Sequence, residues 1–247
     1  MNIGSEMQEI SSNNKRIAKN TVSLYIRMLV TMFVGLYTSR VVLQTLGVAD
    51  FGIYNVVGGI VTMCVFISNT LSSASQRFFA FEIGRNDTVQ LRKVFSASLF
   101  IYVAFVLVIL ILAETVGRWF VENKLNIPPS REAAAYFVYH FSVLSFLSSI
   151  IRVPYNALII ARERMGFYAW ISIVEAALKL LIVYLLVWLS FDKLKLYAVL
   201  MFFVVFLITL IYVVYCRIKF YECRVIAAKD KCLYVSLFQF AGWNLFG

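Results

Sequence analysis

The sequence predicts an all-α membrane protein with six complete transmembrane helices and the start of a seventh. Three observations predict it. Of 247 residues, 62% are hydrophobic and only 15% charged, against about 45–50% and about 25% in soluble domains. Mean hydropathy is +0.83. The apolar residues fall into runs of about the 20 residues that a helix needs to cross hydrocarbon, and the basic residues collect between alternate runs, the pattern that sets membrane topology.

Residues 1–19 form a polar N-terminus carrying Glu6 and Glu9. They lack the basic start and short apolar core of a cleavable leader, so the first apolar run reads as a retained span. Six spans follow within a lobe at 20–217. The first covers about 20–46 and holds Arg27 and Arg40. The second covers about 51–79, with no charge between Asp50 and Arg77. The third covers about 94–120, uncharged from Lys93 to Glu114, and the fourth about 133–160, interrupted by Arg152. The fifth, about 167–191, holds Glu175 and Lys179, and the sixth, about 196–216, has no charge. Residues 218–231 read as a linker and 232–247 as the start of a seventh span. The run FFVVFLITLIYVVY (202–215) does not alternate, as a barrel strand would. A helix satisfies its own backbone in lipid.

The connections are short. QTLGVADFG (44–52) is turn-like, and ENKLNIPPSRE (122–132) places two prolines where one helix must stop before the next. The stretch from Arg217 to Lys231 suits a short amphipathic surface helix. With the N-terminus in the cytoplasm, thirteen of the 23 Lys and Arg residues lie on the inner side, including Lys15, Arg85, Arg92, Arg162 and Lys219. Four lie outside: Lys124, Arg131, Lys193 and Lys195. The bias accounts for most of the +10 net charge without a nucleic-acid partner.

Catalytic motifs are missing: there is no G-x-S-x-G, Walker or H-E-x-x-H pattern, so the chain reads as a non-enzyme without a cofactor. Cys64, Cys216, Cys223 and Cys232 form no C-x-x-C pair and read as free thiols, not as metal ligands. His140, the single histidine, reads as a packed or hydrogen-bonded residue, and Glu114 with Arg118 as an interfacial i, i+4 pair.

Ionisable groups inside spans are costly and commonly face a bundle interior or an aqueous cavity. Glu175 and Lys179, four residues apart, share a helix face. They fit two readings: a self-neutralising pair that eases insertion, or a pair lining a polar cavity. Arg27 and Arg40 point to different faces and either snorkel to headgroups or face an anion path. Arg77 follows the polar run SNTLSSASQ (68–76), which suits close helix packing or a hydrated lining. Arg152 precedes Pro154, where a kink beside a cation would be a moving part. Arg27, Arg40, Arg77, Arg152, Glu175 and Lys179 are the candidate cavity residues. The excess of cations suits an anionic cargo.

The segments SRVVLQTLG (39–47), DFGIYNVVGGIV (50–61), RFFAFEIGRND (77–87), VPYNALIIARERM (153–165) and FAGWNLFG (240–247) resemble Wzx-type polysaccharide flippases. These belong to the multidrug/oligosaccharidyl-lipid/polysaccharide exporter superfamily. The resemblance implies a MATE-like transporter of two six-helix lobes, of which this chain is the N-terminal one. It implies alternating access that carries an undecaprenyl-diphosphate-linked sugar repeat, as for O-antigen or other lipopolysaccharide glycans, across a bacterial inner membrane. Glycan polymerase and glycosyltransferases would act beside it. Two alternatives stay open: a multidrug/cation antiporter of the same superfamily, which needs more in-span acids, and a non-transporting membrane scaffold.

Overall fold

A computed structural model describes residues 3–62, 65–125, 127–188 and 192–226; the expected seventh span at 232–247 lies outside the described residues. The chain runs α1 (Ile3–Thr62), α2 (Val65–Gly84), α3 (Thr88–Leu112), a π turn (Ala113–Gly117), α4 (Arg118–Lys124), α5 (Glu132–Ala161), α6 (Met165–Trp188) and α7 (Lys193–Lys219). No strand occurs among the described residues. Five segments are long and apolar enough to cross a membrane: Ile17–Gly59, Thr88–Lys124, Pro129–Ala161, Met165–Trp188 and Lys193–Lys219. The protein is an all-α, multi-pass membrane-type bundle.

The first of these segments carries more than one crossing. Gly47, at φ 79 and ψ 167, breaks α1 into two arms. The Tyr37 hydroxyl meets that of Tyr184 (3.2 Å) at the far part of α6, and Asp50 pairs with Arg131 (3.0 Å). Beyond the break the Tyr54 ring contacts Tyr197 (4.8 Å), and Ser75 then meets Tyr102 (3.3 Å) midway along α3. The chain therefore goes up before Gly47 and returns through the second arm and α2, where the second span was expected. The polar stretch at 68–76 keeps α2 out of the strongly apolar set.

Gly47 adopts a backbone region that is nearly exclusive to glycine, where another residue costs about 1–3 kcal/mol. A Cβ there would meet no atom within 4 Å, so the cost is the backbone's alone. Gly47→Ala is expected to lower the unfolding free energy by about 1–2 kcal/mol, measured by denaturant titration in detergent. Wild-type stability in that variant would show that the turn tolerates a side chain.

Opposite ends of the bundle carry different charge. At one end lie Arg85, Arg92, Lys93, Arg162, Arg164, Arg217, Lys219 and Arg224; at the other, Lys124, Arg131, Lys193 and Lys195. At the less basic end Arg131 joins three elements, pairing with Asp50 and with Asp192 Oδ2 (3.5 Å). Asp192 Oδ1 meanwhile caps α7 by accepting from Leu194 N–H (3.3 Å). At the basic end the segment after α7 is docked and forms no amphipathic helix over 220–226. A 3-10 turn at Tyr221–Cys223 is held where Arg162 pairs with Glu222, Arg92 Nε donates to Arg224 O (2.6 Å), and Ile226 N–H donates to Ser96 Oγ (3.0 Å). These partners satisfy backbone groups that a free surface helix would have bonded internally.

α5 is the central helix and packs on α1, α2, α3 and α7. Toward the basic end the Phe95 ring meets Phe79 at a tilt (5.9 Å) and Tyr155 in a T-shaped contact (5.4 Å), in a core shared with Ile208 and Tyr212. Toward the other end Tyr102, Val138, Tyr139, Ile150 and Leu194 form a second core. Large apolar side chains such as Leu36, Phe33, Val187 and Trp188 (89% exposed) cover the outside. A contiguous apolar exterior of this kind is stable against lipid and not against water.

The π turn corrects one expectation. Glu114 and Arg118 do not pair. Arg118 Nε bonds Glu122 (2.9 Å), and Glu114 faces His140 (3.6 Å). A π turn inserts an extra residue into the helical turn, so positions four apart across Ala113–Gly117 no longer lie one above the other. His140 also contacts the Tyr136 carbonyl (2.8 Å), as expected of a hydrogen-bonded residue. Cys216 and Cys223 are buried free thiols; Cys64 and Cys232 lie outside the described residues.

Candidate functional site

Within the bundle, the second arm of α1 and helices α5, α6 and α7 enclose a cleft of about 470 Å³. Its charged wall comes from two helices. Glu175 on α6 accepts from Lys179 Nζ through Oε1 (2.8 Å) and from Arg152 Nη1 on α5 through Oε2 (3.1 Å). Both carboxylate oxygens are therefore engaged by cations. The three side chains keep 19–35% of their surface exposed, so they border the cleft rather than being sealed in a core. Two cations face one carboxylate, leaving the wall with one net positive charge.

A small polar stripe on α5 continues this wall. Ser142, Ser145, Ser149 and Arg152 lie on one stripe of α5, spaced i, i+3, i+7 and i+10. Ser145 and Ser149 donate to the carbonyls of Phe141 (2.7 Å) and Phe146 (2.7 Å), which keeps their oxygens available as acceptors at the cleft. Asn55, Gly58 and Gly59 line the α1 side, with Asn55 Nδ2 donating to Phe51 O (2.8 Å). Ala198, Met201 and Val205 of α7 supply the apolar remainder.

The six candidate residues divide evenly. Arg152, Glu175 and Lys179 converge on the cleft. The self-neutralising pair and the cavity lining turn out to be compatible, because Glu175 is shared with a second cation. Arg27 does not line the cleft. Its Nη1 donates to Tyr168 Oη (2.9 Å) and its guanidinium lies 4.5 Å from that ring's centroid, tying α1 to α6. Arg27 Nε is buried without a hydrogen-bond partner. Arg40 and Arg77 are exposed and outside the lining. Spacing along a helix places a charge on a face; it does not say which face meets a neighbour. Arg152 also lies against Tyr212 (5.7 Å to the centroid), and α5 continues through Pro154 as one helix.

Compared with models of known protein families, with curated proteins and with solved structures, the chain finds no match. The chemistry of the cleft is thus read from its own residues. With both oxygens of Glu175 occupied, the charged donors lining the cleft belong to Arg152 and Lys179. Guanidinium and ammonium groups suit an anionic oxygen cluster, the first in a planar fork and the second as a point charge. Among the described residues there is no cluster of His, Cys, Asp or Glu that could hold a metal ion.

The serine stripe and Asn55 were not singled out from sequence. The i, i+3, i+7, i+10 spacing of Ser142, Ser145, Ser149 and Arg152 was the available signal, and it is clear once α5 is known to be central.

Proposed function

We propose that this chain is one lobe of a flippase that carries a lipid-linked oligosaccharide across a bacterial inner membrane by alternating access. The N-terminus and the basic end face the cytoplasm, and the cleft takes the diphosphate of an undecaprenyl-diphosphate-linked repeat. A facing lobe would complete the passage. The reading is supported chiefly by the Arg152–Glu175–Lys179 cluster: a net cationic, hydroxyl-lined cleft inside membrane-crossing helices. Charges at such depth are costly, and a solvated passage for an anion offsets the cost. The charge asymmetry of the two ends supports the orientation. The quoted segments that resemble Wzx-type proteins support the choice of cargo. A cation antiporter fits less well, because the cleft's carboxylate has both oxygens taken by cations.

Arg152→Gln and Lys179→Gln, introduced into the intact gene in its own host, are expected to lower surface glycan about tenfold or more, with Arg40→Gln near wild type. Surface labelling of the glycan, normalised to membrane-inserted protein, measures this. Undiminished export in both variants would discard the cleft as the cargo site.

A further inference from the structure

The polar cleft does not end in a closed wall. A second cavity, of about 600 Å³, lies toward the less basic end between the second arm of α1, α3 with its π turn, and α5. The two cavities share Asn55, Gly59 and Phe146 as lining. A Cβ at Gly59 would meet no atom within 4 Å, so the glycine borders open space at the junction. The second cavity is almost wholly apolar. Its floor is Ile109, Tyr139 and Val143, all buried, and the Tyr139 hydroxyl is turned away into the Ala113 carbonyl (2.7 Å). Its rim is Val56, Leu112 and Val116, each about half exposed at the outside of the bundle. Each volume falls within the range of about 300–1,000 Å³ common for ligand sites.

A cationic cleft joined to an apolar pocket that opens at the exterior of a membrane-type bundle matches one kind of molecule: an anionic amphiphile. We propose that the apolar pocket is a chain-binding subsite. It takes the hydrocarbon chain of a lipid phosphate or diphosphate whose headgroup sits at Arg152 and Lys179. The inference rests on the reading of the cleft as an anion site. A second copy of this chain is a poorer occupant, because it would supply no negative charge to the adjoining cleft by covering apolar residues alone. The gain from the pocket is one of packing, since a chain in the bilayer is already surrounded by hydrocarbon. The pocket therefore selects by length and shape.

The test uses the purified protein in phosphatidylcholine nanodiscs. Inorganic diphosphate and geranyl, farnesyl and geranylgeranyl diphosphate compete for radiolabelled inorganic diphosphate, with geranylgeraniol as the uncharged control. In the wild type, affinity is expected to rise about tenfold from inorganic diphosphate to the longest chain, and the alcohol is expected not to compete. Leu112→Trp and Val116→Trp each enlarge a half-exposed rim side chain that does not line the polar cleft. Each is expected to flatten the series while inorganic diphosphate binds as before. Lys179→Gln is expected to weaken every member equally. A rise that persists in both filling variants would mean that bulk lipid holds the chain, and would overturn the subsite while leaving the anion site standing. Failure of inorganic diphosphate to bind, or binding indifferent to Lys179→Gln, would overturn the anion site and the subsite with it. A shift of the filling variants from dimer to monomer would make the pocket a protein interface and overturn the subsite.

Discussion

Glu175→Gln is expected to destabilise the bundle by about 2 kcal/mol, and millimolar inorganic diphosphate is expected to restore most of the loss. Among the described residues Glu175 is the only carboxylate lining the cleft, and it holds Lys179 and Arg152 through separate oxygens (2.8 and 3.1 Å). Removing one member of a buried ion cluster costs about 3–5 kcal/mol, because the remaining charge is left uncompensated. Here the side chains keep 19–35% exposure, so solvent screens part of the cost. The variant keeps two cations side by side on one wall with no carboxylate between them. An anion that binds the folded state then stabilises by mass action. Glu175→Gln/Lys179→Gln should recover part of the loss without added diphosphate, since only one cation remains. Denaturant titration of detergent-solubilised protein, with and without diphosphate, measures all of this. If diphosphate left the midpoint of Glu175→Gln unmoved, the two cations would not form an anion site.

Gly117→Ala is expected to cost about 2–4 kcal/mol, from overpacking of about 1–3 kcal/mol and a lost hydrogen bond worth about 1 kcal/mol. A Cβ on Gly117 would lie 2.0 Å from the Tyr139 hydroxyl oxygen and 3.1 Å from its ring carbon Cζ. Tyr139 cannot swing clear, because it is 1% exposed and its hydroxyl is bonded to the Ala113 carbonyl. Tyr139→Phe alone should cost about 1 kcal/mol; the Ala113 carbonyl keeps the Arg118 backbone N–H as a partner. Combined with Gly117→Ala it removes the clashing oxygen, so the double variant should be more stable than Gly117→Ala alone. A double-mutant cycle reports this coupling directly. Additive costs would show that the glycine and the tyrosine do not meet.

The interest of the π turn extends past stability. It lines the apolar pocket through Ala113, Val116 and Gly117, and it separates Glu114 from Arg118. The expected Glu114–Arg118 pair rested on a regular helix. Nothing in a single run of apolar residues announces an extra residue in one turn, since the composition of a span is set by lipid and not by register. The turn at Gly47, by contrast, was legible as QTLGVADFG, because the backbone at that position requires a glycine.

The sequence by itself determined that this chain is a bundle of membrane-crossing helices with one basic end. Those properties are sums over local chemistry: apolar surface that only lipid accepts, backbone that only a helix satisfies there, and Lys and Arg gathered in alternate connections. It also placed Glu175 and Lys179 on one face, because four residues make about one helical turn. Only the tertiary structure decided that Arg152, on another helix, completes the cluster. It also decided that a serine stripe lines the same cleft, that Arg27 is engaged by Tyr168, and that Arg40 and Arg77 stay outside. Each of those outcomes depends on how a helix is rotated about its own axis against its neighbours. That rotation is set by the packing of side chains distant in sequence, such as Tyr54 on Tyr197 and Phe95 on Tyr155, and no spacing within one helix encodes it.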